Sequence, residues 1–465
     1  MSVTDPAGGA TVHAPPGRLL ELAEQALARA RAAGADTADA CLESSRAFTA
    51  SVLGGRIETL QQSGTLGLGV RVIVNGAVGF CSGTDLSAAG IDDLARRAVA
   101  LARYTTPDEA NGVPAPEEAG DDASLDLQSF DPRALEFSPE RKIEMALELE
   151  RAALGADPRI RRTDGATVAS SAGSFAIANS RGVARAWEGT AASAWVVALA
   201  DDGGGKQQSG VHGMSKRHLA DLPPMEAIGR EAARRALGRL GARRVPTARV
   251  PVVMSPEVAA AWISEIYEAF TGEAVLKRSS WLTGRLGEPI ASPLMTLVDD
   301  GTIVRGLGSS PYDCEGVRTR RNVLIDAGRC ASFAYDYYHA RRTGHPLTGN
   351  GIRGFASVPG IGFHNLFVEP GESPPEAIVR SVDRGFWYDD SGSFGFNPVT
   401  GDYSFQARGW WIEKGEKAYP VDGVTVAGNS LAMLRAITAV GDDLEFRTSV
   451  ACPTLLIGEM TVSGE

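Results

Sequence analysis

Gly67-Leu68-Gly69-Val70-Arg71-Val72-Ile73-Val74-Asn75-Gly76-Ala77-Val78-Gly79-Phe80-Cys81 is the stretch on which the fold turns. Two β-branched, apolar runs flank Asn75-Gly76, and both of these residues tolerate positive φ, so the segment predicts a tight antiparallel hairpin. Short runs of the same kind at 40–42 and 50–53 extend the pattern upstream. Before them, Leu20, Ala23, Leu27 and Ala30 recur at helical spacing, with Gly34 as a stop. A second helix is expected over 91–103. A meander with one helix-covered face is the economical reading of this region.

Residues 105–137 contain Pro107, Pro114, Pro116 and Pro132 among many acids, which predicts a solvated linker between two structural units. Ser138-Pro139 restarts a helix, with serine as N-cap and proline where its missing N–H costs nothing; Ile143, Ala146 and Leu147 are its expected buried stripe. Strand-like runs at 160–171, 175–179 and 183–199 and a helix over 225–240 repeat the mixture of elements in the first half. Arg243-Arg244-Val245-Pro246 marks the next boundary. After it, residues 250–254 read as a buried strand running into a long helix over 256–270. Asp299-Asp300-Gly301 and Asp326-Ala327-Gly328 read as hairpin turns, and further helices are expected at 335–342 and 429–439. The expected organisation is a flexible arm (1–17), an N-terminal α+β domain (18–245) and a β-rich C-terminal domain (246–465). The fold class is α+β: antiparallel sheets with flanking helices, then a β-rich domain with a few helices.

Composition narrows the function classes. The 465 residues carry 46 basic and 57 acidic side chains, a net charge of −11, so nucleic acid or an anionic membrane surface would be engaged only through a local basic patch. Cys41, Cys81, Cys314, Cys330 and Cys452 form an odd set with no CxxC pair, which argues against a disulfide framework. Residues 1–17 show neither an apolar core nor a basic leader, and no apolar run reaches membrane-spanning length. The expectation is a cytoplasmic protein with no membrane contact.

Gly349-Asn350-Gly351-Ile352-Arg353-Gly354 matches GxGxxG, but it does not lie between a strand and a helix start, so a glycine-rich loop is the better reading. Arg230, Arg234, Arg235, Arg239, Arg243 and Arg244 could form a phosphate-binding stripe, although without interleaved aromatics a solvated face fits better. Cys314, Cys330, His339 and His345 do not show common zinc spacing, His212 and His218 lie in a glycine-rich loop, and His364 reads as structural or groove-lining. Neither a GxSxG elbow nor a Walker lysine occurs.

The runs 307–317 (LGSSPYDCEGV), 348–350 (TGN), 400–404 (TGDYS), 424–429 (VTVAGN) and 440–443 (VGDD), with 67–72 and Gly79-Phe80, together resemble the TldD/PmbA family over about residues 18–463. The resemblance implies a cytoplasmic zinc peptidase built from two related subunits, which admits unfolded peptides into an enclosed groove. In such a pair the catalytic subunit carries HExxxH on a helix after a buried strand, with a distant cysteine as third ligand. The matching hexad here is Pro256-Glu257-Val258-Ala259-Ala260-Ala261, and Cys452 matches the cysteine. Proline and alanine side chains have no zinc-binding atom, and one thiolate cannot hold a catalytic metal. Glu257 then reads as a first-turn acid favourable to the helix dipole.

The resemblance is thus closest to the PmbA (TldE) branch and implies a non-catalytic subunit, inactive alone, without cofactor or metal of its own. Its expected partners are a TldD-like HExxxH-bearing chain that supplies zinc, in a heterodimer, and an unfolded peptide whose backbone pairs with sheet edges and glycine-rich loops at 349–354 and 391–395. The alternative is a regulatory protein, a modulator of a DNA-handling enzyme, supported locally only by the arginine cluster.

Overall fold

The computed structural model describes residues 13–121, 125–392 and 395–464. Helix α1 (Pro16–Ala32) leads into β1 (Thr37–Leu53), β2 (Arg56–Val74), β3 (Ala77–Gly83) and α2 (Ala88–Ala102). At the β2–β3 turn Asn75 and Gly76 have φ of 51° and 77°, the positive values a two-residue turn of this hand requires. The runs at 40–42 and 50–53 belong to one 17-residue strand, because the small polar residues between them pair as readily as the apolar ones. Of the expected arm, residues 1–12 lie outside the described residues, whereas Ala14 is buried and its N–H donates to Ser44 Oγ (3.0 Å).

Beyond short helices α3 (Pro116–Ala119) and α4 (Arg133–Glu136) the order repeats: α5 (Pro139–Leu154), β4 (Ile160–Asn179), β5 (Ala184–Asp201), β6 (Gln207–Lys216) and α6 (Met225–Gly238). The two halves meet back to back, β1 against β4, antiparallel from Asp39↔Asn179 to Val52↔Ala166. One six-stranded sheet results among the described residues, ordered β3-β2-β1-β4-β5-β6. Both helix pairs cover the same face. Helices α1 and α2 bury Ala40, Leu42, Val70 and Val72; α5 and α6 bury Val52, Ala166, Val168 and Val196. Glycine is needed on both edge strands, since a Cβ on Gly79 would lie 1.9 Å from Ala98 O of α2 and one on Gly210 2.2 Å from Ala232 O of α6.

The segment 105–137 is therefore not a solvated linker between units. It straps a continuous sheet, with Val113, Ala115, Ala119, Leu127 and Phe137 buried, and Asn179 Nδ2 donates to Pro114 O at 2.8 Å. Its prolines suit an extended strap as well as a free linker, and its scattered apolar residues do the anchoring. On α5 the buried stripe is Lys142, Met145, Ala146, Leu149, Glu150 and Ala153, with Ile143 and Leu147 only half-buried. Two polar residues are tolerated there for different reasons. Glu150 accepts from the N–H groups of Gly54 (2.8 Å) and Gly55 (2.7 Å) at the β1–β2 turn, whereas Lys142 lies against aromatic rings.

Strand β7 (Ala248–Met254) runs into α7 (Pro256–Ile266), which tightens into a 3₁₀ turn at Tyr267–Phe270. There follow α8 (Gly272–Leu276), β8 (Leu297–Asp300), β9 (Arg321–Asp326), β10 (Arg329–Cys330), α9 (Tyr337–Thr343), β11 (Gly351–Ile352), β12 (Gly360–Ile361), β13 (Leu366–Val368) and α10 (Pro375–Arg380). The chain ends with β14 (Arg384–Ser391), β15 (Asp402–Glu413), β16 (Glu416–Asn429), α11 (Ser430–Arg435), β17 (Ile437–Val440), β18 (Val450–Ala451) and β19 (Leu455–Ser463). One sheet has the order β16-β15-β14-β7-β19-β17, and an extra β16–β19 pairing, such as Val426↔Val462, closes five of these strands on themselves. Val252 and Met254 of β7 face the main core with Trp262, while Val253 points the other way, into the cluster of Ile378 and Trp387. A second sheet is ordered β10-β9-β8-β13-β18.

Asp299 and Asp300 are not turn residues. They close β8, and Asp299 is fully buried, accepting from Asn350 Nδ2 (2.6 Å) and the backbone N–H of His364 (2.7 Å). The expected helix over 429–439 stops at Arg435, because Ile437 and Val440 pair with β19. No helix among the described residues is long and apolar enough to cross a membrane.

Candidate functional site

Buried β7 delivers the chain to the start of α7. Ser255 N–H donates to Tyr388 O (2.9 Å), its hydroxyl caps the helix at Val258 N–H (3.5 Å), and Pro256 occupies the first helical position. Val258, Ala259, Trp262, Ile263 and Ile266 face the core. Pro256, Glu257, Ala260, Ala261 and Ser264 are left on the open side, lining a cavity of about 300 Å³ that Val450 and Cys452 close from opposite. The four positions singled out from the sequence, Pro256, Glu257, Ala261 and Cys452, thus meet in one place. They are far apart only along the chain.

Glu257 does more than complement the helix dipole. Its Oε1 accepts from Arg235 Nη2 of α6 at 2.5 Å and from Arg447 Nη1 of the loop before β18. Burial by itself would raise its pKa, but the charges of Arg235 and Arg447 outweigh burial and hold the carboxyl below the usual range. Neighbouring Glu231 is held down to about 2: burial works against this, and hydrogen bonds from Arg234 and Arg235 overcome it. Both guanidiniums converge on the one oxygen Oε1, so Glu257 is a clamp between α6, α7 and the Arg447 loop.

A second cavity of about 300 Å³ shares Glu257, Arg447 and Thr448 with the first and adds His212, Arg239, Asp389 and Asp390. His212, on β6 and not in a loop, is pushed down to about 4, first by burial and then by Arg235 and Arg447, so its imidazole is neutral near pH 7. Beyond Ser264 a third cavity of about 530 Å³, lined by Glu265, Tyr267, Ile352, Phe363 and Phe396, continues along α7. The three form one trough, basic and acidic at one end and aromatic at the other.

The arginine cluster is dispersed among these contacts. Half-buried Arg235 and buried Arg239 pair with Glu231, Glu257, Asp389 and Asp390, whereas Arg230 and Arg234 pair with Glu226 and Glu231 on the surface. Arg243 lies 3.6 Å above the Tyr419 ring. Arg235, Arg447 and the Asp389-Asp390 pair are the site residues that the sequence alone did not identify as such. Helical spacing puts Arg235 and Arg239 on one face, but nothing local connects Arg235 to Glu257, 22 positions away, or Arg239 to Asp389 and Asp390, 150 and 151 positions away.

The donor set does not fit zinc. Pro256 and Ala261 offer no ligating atom, Glu257 Oε1 is taken by two arginines, Glu445 pairs with Arg447 at 2.7 Å, and burial raises the Cys452 thiol well above its ordinary range. Among the described residues no group of three or more His, Cys, Asp or Glu is arranged to hold a metal ion. The second set considered is scattered too: His339 Nδ1 pairs with Asp336 (2.7 Å), His345 stacks on Tyr335, and Cys330 lies buried in β10. His364 bridges Gly308 O (3.2 Å) and Gly349 O (2.7 Å), a structural position.

Two of the runs that carry the family resemblance, 67–72 and 307–317, contribute to a buried polar seam between the two large domains. Asp313 accepts from the N–H groups of Val317 and Gly351, both at 2.9 Å. Glu315 lies 3.4 Å from Arg71, Arg71 pairs with Asp39, and Asp39 also pairs with Arg353 at 2.7 Å. Burial would raise the Asp39 carboxyl, but Arg353 and Arg71 bring it below its ordinary value. The loop 349–354 is thus a structural junction, with Gly349 at φ 73° where a Cβ would lie 2.6 Å from Arg318 O.

Comparison with known proteins agrees with this layout. Family models described as PmbA/TldA metallopeptidase domain 1, central domain and C-terminal domain match residues 38–102, 132–240 and 247–464. The metalloprotease PmbA of Escherichia coli O157:H7 is 32% identical over 448 residues, covering 96% of this chain and 97% of its own length. TldE of Thermococcus kodakarensis superposes with a TM-score of 0.84 at 25% identity, covering 95% and 99% of the two chains. A Bacteroides thetaiotaomicron protein described as a candidate modulator of DNA gyrase gives a TM-score of 0.87 at 26% identity, with coverage of 96% and 98%.

Proposed function

The chain belongs to the PmbA/TldD metallopeptidase family, and from that premise we propose that it is the metal-free subunit of a two-chain peptidase acting on unfolded peptides. A TldD-like partner bearing HExxxH supplies the zinc and the activated water, while this chain supplies the trough along α7 as part of the peptide groove. The observation that carries the reading is the occupation of the α7 site by Pro256, Ala261 and a doubly clamped Glu257, a set without the donors for zinc. A free edge supports the same reading: the first half of β2, up to about Thr65, has β1 on one side and lies beyond the end of β3, with Ile57 49% and Leu60 47% exposed. Such an edge offers main-chain donors and acceptors to an extended peptide or a partner strand. All five cysteines are unpaired and buried, which supports a cytoplasmic, reducing location.

The regulatory reading, modulation of a DNA-handling enzyme, has less support, because Arg230, Arg234, Arg235, Arg239 and Arg243, five of the six arginines it would use, are engaged by acids of the same chain or by Tyr419. Expression with and without an HExxxH-bearing paralogue tests the proposal. Zinc content and cleavage of casein-like unfolded substrate should be high only for the pair. Stoichiometric zinc and cleavage by the isolated chain would overturn it.

A further inference from the structure

The two helix pairs leave a gap at the middle of the sheet. There the covered face carries Arg46 and Phe48 of β1 and Ser170 of β4, with Phe48 directly opposite Ser170. Lys142 enters from the first turn of α5. The residue is only 4% exposed, and its Nζ lies 4.5 Å and 4.9 Å from the ring centres of Phe48 and Phe137. Among the described residues no carboxylate or carbonyl accepts from it. These residues line a partly open cavity of about 140 Å³, below the roughly 300–1,000 Å³ of sites for larger organic ligands but room for a compact ion.

A buried ammonium without an acceptor is costly, and a second cation makes it costlier. Arg46, which also lines the cavity and donates to Leu135 O at 2.9 Å, adds to the burial that lowers the lysine pKa to about 8. The one carboxylate on the lining, Glu136, is exposed at the rim and pairs with neither cation. The positive end of the 16-residue helix α5, capped by Ser138, closes the same side. The ammonium comes from the helix layer and the guanidinium and Ser170 hydroxyl from the sheet face beneath it, so donors line two sides of the cavity, which suits a tetrahedral oxyanion better than a planar carboxylate.

We propose that this cavity is an oxyanion site that takes a phosphate group, free or as a phosphomonoester, between Lys142 and Arg46. It shares no residue with the α7 trough and does not depend on the subunit reading.

Thermal melts and calorimetric titrations of the full chain with inorganic phosphate, at constant ionic strength against chloride, test the site. Saturable binding with a rise in Tm is expected. Lys142→Met, which keeps the apolar stem on the two rings, should weaken binding about 10- to 100-fold, the loss of one charged hydrogen bond. Lys142→Arg should retain it, and the chloride-buffer Tm of K142M should not fall, since an unpaired buried charge has been removed. If O-phosphoserine competes with phosphate, the natural source is a phosphomonoester; if it does not, it is the free ion. The proposal falls if phosphate neither binds nor stabilises, if K142M binds it as well as the parent, or if acetate protects equally.

Discussion

Replacing Glu257 by Gln removes the charge that holds Arg235 and Arg447 together while keeping the side-chain shape. A hydrogen bond to a charged group contributes about 1.5–3 kcal/mol, and two are at stake. The side chains of Glu257 and Arg447 are 33% and 27% exposed, so water recovers part of the loss and the net cost should be about 2 kcal/mol. For a cooperative unit of about 220 residues, at ~2.1 cal/mol/K of unfolding entropy per residue, this is a Tm loss of about 4 °C. The pH dependence has a definite sign. Because the native carboxyl is held below its ordinary value, the folded state binds fewer protons than the unfolded chain. The clamp's contribution is therefore complete above the unfolded value of about 4.3 and is lost as pH falls through the depressed native value. Calorimetry of E257Q against the parent should show a constant gap from pH 8 to 6 that closes in acid. Combined with an HExxxH partner, the variant should retain peptide cleavage within a few-fold. No stability gap at pH 7, or a correctly folded variant whose complex loses the ~10²–10⁴-fold expected for a general base, would refute the clamp assignment.

Arg353→Met leaves Asp39 with Arg71 alone in a buried seam and should cost about 3–5 kcal/mol, measured by urea unfolding, with Asp39→Asn/Arg353→Met costing less than the sum of the single changes. Gly79→Ala and Gly210→Ala should each destabilise by about 1–3 kcal/mol, because a methyl group meets helix backbone on either edge of the sheet; equal Tm values for parent and variants would contradict the close approach. None of the five cysteines should react with a thiol reagent at pH 8 until denaturant is added, since all are buried and burial raises the thiol of each above its ordinary value.

Local chemistry made the hairpin at Asn75-Gly76, the proline-led starts of α5 and α7 and the turn at Asp326-Ala327-Gly328 legible, because each depends on the backbone preferences of adjacent residues. The strap at 105–137 is not legible because proline and acid content describes a free chain equally well, and what anchors it, such as Asn179 on Pro114 O, is distant in sequence. Asp299-Asp300-Gly301 has turn composition, yet Asp299 satisfies both Asn350 and His364 from inside a sheet. Pro256, Glu257, Ala261 and Cys452 were found through resemblance and do share a cavity. The arginines that fix the state of Glu257 leave no local signal, since Arg235 reaches it from the other domain and Arg447 from 190 positions along the chain.

The back-to-back junction of β1 with β4 also sets a timetable for synthesis. The inner edge of β1 has no partner until residue 179 has left the ribosome, about 125 residues after β1 is complete, which at roughly 5–20 residues per second is about 6–25 s. During that interval the nascent chain carries a 17-residue strand with one unsatisfied edge, a template for pairing with other chains. Yield in a cell should therefore respond to elongation rate and holdase supply more than the stability of the finished sheet would suggest.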